Sequence, residues 1–594
     1  MSTNISKEKR DKLVQKISAI KTYIATAPQD ENTAQLLTYI AEIEKDVKGK
    51  KYGLIFEEHR ESIDEILDTH LPILSEEESL FIDNGGQMNF LIEGDNLASL
   101  KLLEKTHKGK IDLIYIDPPY NTGNKDFVYD DRLVDDNDLF QHSKWLSFMK
   151  QRLTMAKNLL CENGSIFISI DDNEQSVLKL LCDDIFGINN FINQISLKTK
   201  ASAGASGGGE DKRLKKNTEY MLWYARNKAA LVFEKPKNKI KLFDYIKNHK
   251  ENKIGFYYTR VITDYGQKEF VGSIKAGNGD DIKIYKHSNF EFSSVSKLSK
   301  ELNCSEDEIY KKYYNDIFMV TNAQTSILPK VNSFIGEKNC LVSYEYIPTT
   351  GKSKGQLETK LIWNETLVVW LKDSTIFIDG EIYKTEILGT LWENVSWGRL
   401  DLEGYVSFKN GKKPLSLLNQ IMEFTVKQNS IVLDFFAGSG TTGHAVMKLN
   451  AEDGGSRKFI LCTNNENNIC RDITYERIKR VVEKEDYKAS LKYFKVDYLP
   501  ISDKLYYEYA DELLKHIREL VELENAVNFR GNGELAILLT ERELDNFATN
   551  LPSGCKTVYL GHDVLPSEEQ ELLFKQMGIT VNVIPDYYYR DLEA

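Results

Sequence analysis

The first stretch equipped for chemistry is Asp117-Pro118-Pro119-Tyr120, which directly follows the apolar run IDLIYI. The two prolines cannot continue a hydrogen-bond ladder, so they fix a rigid turn just past the end of a strand. In an open α/β sheet, ligands bind at the carboxyl ends of the strands. Asp117 and the carbonyl of Pro118 can accept hydrogen bonds from an amine, and Tyr120 offers a face on which a planar ring can stack. We therefore expect amine chemistry at this turn, with an ordinary strand-ending turn as the alternative.

A second motif, DFFAGSGTTG, runs from Asp434 to Gly443. Its small residues let the backbone pass close to a ligand, and the N-terminus of the following helix supplies amide donors. Gly438, Gly440 and Gly443 also spell GxGxxG, the pattern of dinucleotide-binding loops, which is a weak signal on its own. No Gly-Lys-Ser/Thr follows, so the loop is not a P-loop and ATP-driven motor activity is not expected.

Both motifs lie within alternating strand and helix patterns. The expected elements are the strand 89–94, a helix 97–107, the strand 111–117, a helix 143–160, the strand 165–170, a helix 414–427, the strand 430–436, a helix after Thr442 and the strand 458–463. This order implies a parallel sheet covered by helices on both faces. Chemistry between the two motifs requires that they meet on adjoining strands of one sheet.

The changes of pattern predict five segments. They are a helical N-terminal extension (1–80), the first part of an α/β core (81–232), a mixed, partly β insertion (233–400), the second part of the core (401–500), and a C-terminal helix (504–524) with a small α/β-like tail (501–594). Residues 1–80 carry apolar positions at helical spacing but no cluster of reactive side chains, so packing or dimerisation is their expected role.

Charge is unevenly distributed along the 594 residues, whose formal net charge is −13. Residues 198–253 hold 15 Lys/Arg against 6 Asp/Glu, whereas residues 501–594 hold 8 against 18. The basic stretch is where phosphate neutralisation is expected, although a solvated lysine-rich surface is the plain alternative.

Three further features of the sequence indicate the cellular compartment and the absence of membrane association. No apolar run approaches the roughly 18 residues needed to cross a bilayer, and the N-terminus lacks the apolar core of a signal peptide. Seven scattered cysteines form no CxxC pair. This pattern favours reduced thiols in a cytoplasm, with no membrane association.

Six stretches, in this order, resemble the β class of amino-methyltransferases, and most closely the modification (Mod) subunits of Type III restriction–modification systems. They are LIEGDNLASLKLL, KIDLIYIDPPYNTG, SIFISIDDNE, NTEYMLWYAR, FKNGKKPLSLLNQI and LDFFAGSGTTGHAV. The order, with the catalytic motif first and the glycine loop last, is the signature of that family, and the resemblance covers roughly residues 50–480. It implies a Rossmann-like S-adenosylmethionine-dependent methyltransferase sheet, interrupted by a target-recognition insertion.

By this resemblance, the turn Asp117–Tyr120 holds a target base that is flipped out of the DNA duplex. Asp at the first position resembles the adenine-N6 version of the motif rather than the N4-cytosine version. Tyr220 or Trp223 is the candidate for the opposite face of the base, and plain core packing of these two rings is as good an interpretation.

The resemblance also implies a cofactor site. Its expected residues are Asp95, Asp434, Phe436, Gly438, Gly440, Thr441 and Glu466. Phe436–Gly440 would wrap the methionine part of S-adenosylmethionine, Asp95 would lie near its adenine, and Glu466 would pair with the ribose hydroxyls. Lys409 or Lys413 would approach the methionine carboxylate.

Two polar stretches remain. The glycine-rich segment 201–217 is expected to be a mobile loop that orders over DNA, and a plain surface linker is the alternative. Its expected phosphate contacts are Lys212, Arg213, Lys215 and Lys216. Asp171 and Asp172 could be taken for a metal pair, but the resembled family uses no metal in methyl transfer, so capping and positioning are expected of them.

The resulting hypothesis is a site-specific DNA methyltransferase that methylates N6 of adenine in double-stranded DNA. As implied by the resemblance, it would be a homodimeric modification and recognition subunit, with a separate restriction subunit carrying ATPase and nuclease activity. The open alternatives are an orphan adenine methyltransferase, an N4-cytosine methyltransferase, an NAD-dependent oxidoreductase, and a non-catalytic DNA-binding scaffold.

Overall fold

The computed structural model falls into two compact units, Met1–Glu234 with Thr390–Ala594, and Lys235–Gly389. It describes residues 5–26, 31–48, 56–122, 141–200, 214, 216–233, 235–277, 279–322, 326–349, 353–408, 411–501, 516–585 and 587. The smaller unit is narrower than the insertion 233–400 expected from the sequence.

The secondary structure has an α/β order in both parts of the large unit. The first part contains α1 (Ile5–Thr26), α2 (Glu31–Lys48), α3 (Ser62–Thr69), β1 (His70–Glu76), β2 (Gln87–Glu93), α4 (Asn96–His107), β3 (Ile111–Ile116), α5 (Gln141–Leu159), β4 (Leu160–Ile170), α6 (Gln175–Cys182), β5 (Phe191–Lys198) and β6 (Thr218–Ala225). The smaller unit contains β7 (Lys237–Lys241), α7 (Leu242–Glu251), β8 (Arg260–Asp264), β9 (Gln267–Lys275), β10 (Asp281–Ser288), β11 (Glu291–Ser294), α8 (Val295–Glu301), α9 (Glu306–Lys312), β12 (Ile317–Thr321), α10 (Leu328–Ile335), β13 (Leu341–Tyr346), β14 (Glu358–Trp363), β15 (Thr366–Trp370), β16 (Thr375–Ile378) and β17 (Glu381–Ile387). The second part of the large unit contains β18 (Leu391–Trp392), α11 (Leu415–Thr425), β19 (Ile431–Asp434), α12 (Thr441–Asp453), β20 (Lys458–Thr463), α13 (Glu476–Glu485), β21 (Ala489–Pro500), α14 (Ile517–Asn525), β22 (Leu535–Leu538), α15 (Glu541–Thr549), β23 (Thr557–Leu560), α16 (Glu568–Gln576) and β24 (Thr580–Val583).

A ten-stranded sheet forms the centre of the large unit, in the order β1-β21-β2-β20-β19-β3-β4-β6-β5-β18. The six strands from β21 to β4 are mutually parallel, and β1 and β6 pair antiparallel at either end of this group. The central strands are almost fully buried, as expected of a parallel sheet covered on both faces. The predicted α/β methyltransferase-type sheet is confirmed.

The N-terminal extension departs from the sequence-based prediction. Residues 70–76 were expected to be helical, but they form β1, which pairs with β21 from His70 opposite Pro500 to Glu76 opposite Phe494. Seven residues are too few to distinguish a buried strand from one helical turn by apolar spacing alone, and only the distant partner strand decides the outcome.

The adjacency of β3 and β19 is the feature on which the site depends. Leu113 and Ile114 lie opposite Val432 and Leu433 in parallel register, and the carboxylate of Asp112 accepts a hydrogen bond from the backbone N–H of Ile431 at 2.8 Å. Both strands therefore end at the same edge of the sheet. The Asp-Pro-Pro-Tyr motif directly follows β3, and the glycine-loop motif begins at the last residue of β19. The two motifs therefore meet at this edge, as their joint chemistry requires.

Helix α12 begins at the glycine loop because Gly440, its N-cap, adopts φ +73°. Three residues further on, Gly443 faces the sheet and α13. A Cβ atom at Gly443 would lie 2.8 Å from Cδ1 of Ile478, 3.1 Å from Cδ1 of Leu461 and 3.2 Å from Cε2 of Phe459. The absence of a side chain at Gly443 lets the start of the helix lie close to β20.

The smaller unit is mixed, as the sequence predicts. Its main sheet has eight antiparallel strands, in the order β11-β8-β12-β15-β14-β13-β10-β9. A second sheet of three strands has the order β16-β17-β7, and four short helices, α7 to α10, complete the unit.

The C-terminal part of the large unit has a second, smaller α/β layer. The strands β22, β23 and β24 form a parallel sheet in sequential order, with α15 and α16 as the crossovers. Helix α14 precedes this layer, and its Glu522 forms a fully buried ion pair of 2.5 Å with Lys492 on β21. None of the helices described is both long and apolar enough to cross a membrane.

Gly443→Val is expected to lower the free energy of unfolding by about 1–3 kcal/mol, because the added methyl groups would overlap the three side chains packed against this position. Gly443→Ala should cost less, since the gain in helix propensity, about 1 kcal/mol, offsets part of the overlap. Thermal unfolding of the wild type and both variants measures the effect. A valine variant as stable as the wild type would show that α12 does not pack on β20 at this residue.

Candidate active site

The Asp-Pro-Pro-Tyr turn leaves the end of β3 and is held by hydrogen bonds from two aromatic side chains. The Tyr120 hydroxyl donates to Oδ1 of Asp117 at 2.8 Å, and the Trp145 ring N–H donates to the carbonyl oxygen of Pro119 at 2.9 Å. Tyr120 and Pro118 are buried. The turn is therefore rigid, and it presents the Asp117 carboxylate at the carboxyl edge of the sheet.

A buried ammonium group faces this carboxylate. Nζ of Lys413 lies 3.2 Å from Oδ1 of Asp117 and 3.2 Å from Oε2 of Glu219 on β6, and 4.9 Å from the centre of the Tyr120 ring. The sequence predicts that Lys409 or Lys413 approaches the methionine carboxylate. The Lys413 ammonium contacts two carboxylates of the protein, Lys409 lies outside the described residues, and the role stays a prediction.

Burial dominates the electrostatics of this cluster. It raises the pKa of Asp117, and the Lys413 ammonium and the Tyr120 hydroxyl offset part of that rise. Burial alone would lower the pKa of Lys413, but the carboxylates of Asp117 and Glu219 raise it on balance. Lys413 is therefore a permanent cation, which favours the ionised, hydrogen-bond-accepting form of Asp117.

The glycine loop is held by the side chain of Asp434, the last residue of β19. Its Oδ1 accepts from the backbone N–H of Phe436 at 3.0 Å, and its Oδ2 accepts from the Thr442 hydroxyl at 2.5 Å. Gly438 and Gly440 adopt φ +48° and +73°. A Cβ atom at Gly438 would meet only the carbonyl oxygen of Phe436, at 3.8 Å, so the loop leaves open space on that side.

One cavity, partly open to solvent, joins the two motifs. Its lining residues are Tyr115, Asp117, Phe408, Gly411, Lys413, Asp434, Phe436, Ala437, Gly438, Ser439, Thr441 and Thr442. Six of these are residues that the sequence predicts individually for the site, namely Asp117, Lys413, Asp434, Phe436, Gly438 and Thr441. The carboxylate of the turn and the glycine loop therefore face the same space.

Comparison with known proteins identifies the family. A family model described as DNA methylase matches residues 111–476, which includes both motifs. The chain belongs to this DNA methylase family.

Among curated relatives, the probable type III restriction-modification enzyme HindVI Mod subunit of Haemophilus influenzae is 38% identical over 402 residues, which cover 67% of this chain and 51% of that protein. The type III restriction-modification enzyme StyLTI Mod subunit of Salmonella typhimurium is 31% identical over 442 residues, with coverages of 69% and 59%.

The chain spans about half the length of the curated relatives it matches. Among solved structures, it is similar to the M1.HpyAVI-SAM complex with a TM-score of 0.28 and 15% identity, over 66% of this chain and 98% of that one. It is also similar to the PvuII DNA methyltransferase (cytosine-N4-specific), with a TM-score of 0.30 and 11% identity, over 69% and 98% of the two chains.

Two acids expected near the cofactor are not in the lining of the cavity. Asp95 is the N-cap of α4 and accepts from the backbone N–H of Leu97 at 2.7 Å. Glu466 is exposed, on a short turn directly after β20. Neither residue is in the described lining of the cavity, so the roles assigned to them remain predictions.

The two aromatic residues expected on the second face of a base are not in the lining of the cavity. The Trp223 ring stacks on Phe167 at 4.9 Å and meets the edge of Phe424 at 5.6 Å, so Trp223 is a core residue. Tyr220 follows Glu219 on β6, and the alternation of side chains along a strand directs it to the sheet face opposite the Lys413 cluster. The alternative interpretation, core packing, is the correct one for Trp223.

The stretch that follows β4 is a capping turn, as expected. Asp171 accepts from the backbone N–H of Asn173 at 2.9 Å and from Lys216 Nζ at 2.8 Å, and Lys216 also lies 3.6 Å from Asp172. Lys216 is thus paired with two carboxylates. Lys212, Arg213 and Lys215 lie outside the described residues. Within the described part of the chain, no three His, Cys, Asp or Glu side chains are arranged to hold a metal ion.

Two residues that stabilise the site were not predicted from the sequence. Glu219 precedes Tyr220 in a recognised motif, but its contact with Lys413 follows only from the pairing of β6 with β4. Arg477 on α13 is fully buried, and its Nη1 donates to Thr441 at 2.7 Å and to Ser439 at 3.3 Å. It holds the glycine loop from the side of α13, and no local pattern marks it.

Asp434→Asn is expected to change how stability depends on pH. Burial raises the pKa of Asp434 from 3.8 to about 7 in the folded protein. Unfolding between these pH values releases a proton, so the wild type loses stability relative to the Asn variant as the pH rises from 5 to 8, by about 2 kcal/mol. Thermal unfolding of both proteins across this range measures the difference.

Asp453→Asn is the matched control for this pH series. Hydrogen bonding to Arg457 lowers the pKa of Asp453 below its ordinary value of 3.8, so Asp453 becomes protonated only at more acidic pH. The difference in stability between the wild type and Asp453→Asn should therefore not vary between pH 5 and 8. If the stability difference between the wild type and Asp434→Asn were also constant between pH 5 and 8, the raised pKa of Asp434 in the folded protein would be contradicted.

Proposed function

We propose that the chain is a site-specific DNA methyltransferase that transfers a methyl group from S-adenosylmethionine to N6 of adenine. One observation carries the proposal, namely that the Asp117 carboxylate and the glycine loop line the same cavity. A methyl donor held by the loop and an amine held by the turn would be neighbours. The experiment that tests it is incubation with labelled S-adenosylmethionine and DNA of mixed sequence, followed by mass spectrometry of the nucleosides, which is expected to report N6-methyladenine.

The residues present fit the cofactor. S-adenosylmethionine supplies an electrophilic methyl group on a positively charged sulfur. The open space beside Gly438 can receive the methionine part of the cofactor. The N-terminus of α12 supplies amide donors for the carboxylate of that methionine. The carboxylates of Asp117 and Glu219 outnumber the Lys413 ammonium between them, so this cluster can give the cavity the negative charge that suits a sulfonium.

The turn supplies the acceptor for the amine. Tyr120 and Lys413 both contact Oδ1 of Asp117, so within the described structure Oδ2 is the oxygen left for an exocyclic amine. An accepted hydrogen bond, together with one to the carbonyl oxygen of Pro118, would direct the lone pair of the amine toward the methyl group. The buried cation Lys413 offsets part of the rise that burial causes in the pKa of Asp117, and so favours its accepting form.

The base must leave the duplex to reach this depth. Extrusion costs a few kcal/mol, and stacking on Tyr120 would return roughly 1–3 kcal/mol of this. Asp rather than Ser at the start of the turn supports adenine as the target, with N4 of cytosine as the second candidate. The similarity to a cytosine-N4-specific structure is too distant to favour it.

The relatives support a place in a Type III-like restriction–modification system. Two of them are described as Mod subunits of such enzymes. We propose that this chain modifies and recognises double-stranded DNA as a homodimer, that the smaller unit reads the bases, and that a separate ATPase and nuclease subunit cuts. Such an enzyme would act on DNA in the bacterial cytoplasm. An orphan methyltransferase would have the same chemistry without that partner.

Asp117→Ala is expected to abolish methyl transfer, by at least about 1,000-fold, while cofactor affinity changes by less than about 3-fold, because the carboxylate holds the amine and not the methyl donor. Asp172→Ala, which replaces an exposed aspartate on the neighbouring strand end, is the control. Transfer assays with labelled cofactor and calorimetric binding measure the two quantities. Full turnover by the Asp117→Ala variant would remove the turn from the chemistry.

Gly438→Asp should weaken S-adenosylmethionine binding by about 10-fold or more, because its side chain would project into the cavity where the donor lies. Gly454→Asp is the matched control, since Gly454 also has a positive φ, +69°, with open space around its Cβ, but lies at the other end of α12. Equal affinities in the two variants would place the cofactor elsewhere.

A further inference from the structure

The N-terminal helices α1 and α2 carry large apolar side chains that are half exposed or more. They are Leu13 (49%), Ile20 (47%) and Tyr23 (76%) on α1, and Leu36 (48%), Tyr39 (50%) and Ile43 (52%) on α2. Of the side chains described in the two helices, only Ile17 and Thr33 are buried. A pair of helices with so small a core is marginal on its own in water, so this apolar surface requires a partner.

The two helices run antiparallel. Four residues separate them in the sequence, and so short a connection spans at most about 17 Å, whereas α1 is about 33 Å long. The residues that face across the pair include Ile17 and Lys21 on α1, and Thr33 and Glu44 on α2. Lys21 forms an ion pair with Glu44.

The exposed apolar residues lie on one side of the helix pair, and the exposed Lys16 lies among those of α1. At 100° per residue, the stripe on each helix lies about a quarter turn from the residues that face the other helix. Viewed from the N-terminus of each helix, the exposed apolar stripe is rotated in the same direction from the residues that face the other helix. Because the two helices run in opposite directions, this equal rotation brings both stripes to the same side of the pair. We call this side the apolar face of α1 and α2.

Charge selects the occupant and its orientation. Helix α1 has six Lys/Arg and two Asp/Glu, for a net charge of +4, whereas α2 has two Lys and four Asp/Glu, for a net charge of −2. If two copies pack face to face about a twofold axis parallel to the helices, each α1 lies against the partner's α2, so opposite charges meet. The other twofold arrangement would set α1 against α1, with like charges adjacent.

We propose that the apolar face is a homodimer interface, at which two copies of the chain form an antiparallel four-helix bundle with each α1 against the partner's α2. Bundles of this kind bury apolar stripes of neighbouring helices around a shared core. The inference rests on the homodimer proposed above and names its surface. It requires neither cofactor nor DNA, so it can fail while the proposed methyl transfer stands.

The test uses the full chain and two double variants, Leu13→Lys with Ile20→Lys, and Leu36→Glu with Ile43→Glu. Sedimentation velocity of the wild type should show a dimer. Each double variant alone should raise the dissociation constant of the dimer by about 100-fold or more, because charges are buried without partners. Mixing the two variants in equal amounts should restore dimers, because one half of the interface gains Lys–Glu pairs and the other half is unchanged.

Matched controls carry the same charges on the opposite side of the same helices. They are Ser18→Lys with Thr22→Lys, and Thr38→Glu with Ala41→Glu, all at exposed positions. These should leave the dimer unchanged. Circular dichroism and cofactor binding check that every variant is folded.

Each result decides a separate part of the inference. A monomeric wild type would overturn both the homodimer and its surface. A dimer that neither double variant weakens would overturn the surface and leave the homodimer. Variants that weaken the dimer but are not restored on mixing would overturn the pairing of α1 with the partner's α2.

Discussion

The parallel pairing of β3 with β19 is the constraint from which the site follows. Leu113 and Ile114 lie opposite Val432 and Leu433, although the chain between these strands contains an entire second unit. Parallel neighbours end at the same edge of a sheet, so the turn after β3 and the loop after β19 must face each other. A shift of either strand by one residue would turn its buried side chains to the opposite face of the sheet.

The cavity at this edge contains charge that only mutual pairing can stabilise. Lys413 lies within hydrogen-bonding distance of both Asp117 and Glu219, and a buried charge left alone would cost several kcal/mol. The ammonium between two carboxylates therefore stabilises the turn, and it also favours the hydrogen-bond-accepting form of Asp117, because it offsets part of the rise in the pKa of Asp117 that burial causes. Asp434 is in a different state, because no described cation contacts it and its pKa rises to about 7.

Local sequence patterns were sufficient for five parallel strands of the central sheet, β2, β3, β4, β19 and β20, and for both motifs. The strand predicted at 458–463 matches β20, and α4, α5 and α11 fall within two residues of their predicted limits. Features decided by distant contacts were not predictable. The strand β1 depends on its partner β21, Glu219 reaches Lys413 only after β6 pairs with β4, and Arg477 contacts the glycine loop from a helix that carries no motif. Trp223 shows the converse, since its motif left a binding role and core packing equally open, and the structure packs its ring in the core.

The most direct test of this mechanism is a crystal structure of the chain with a cofactor analogue and a DNA duplex that contains its target site. We predict a base flipped out against Tyr120, its exocyclic amine hydrogen-bonded to Asp117, and the nitrogen about 3–3.5 Å from the position of the transferable methyl group. The analogue should lie along Phe436–Gly440. A cofactor analogue bound in a different pocket from the one that contains Asp117 would contradict the mechanism.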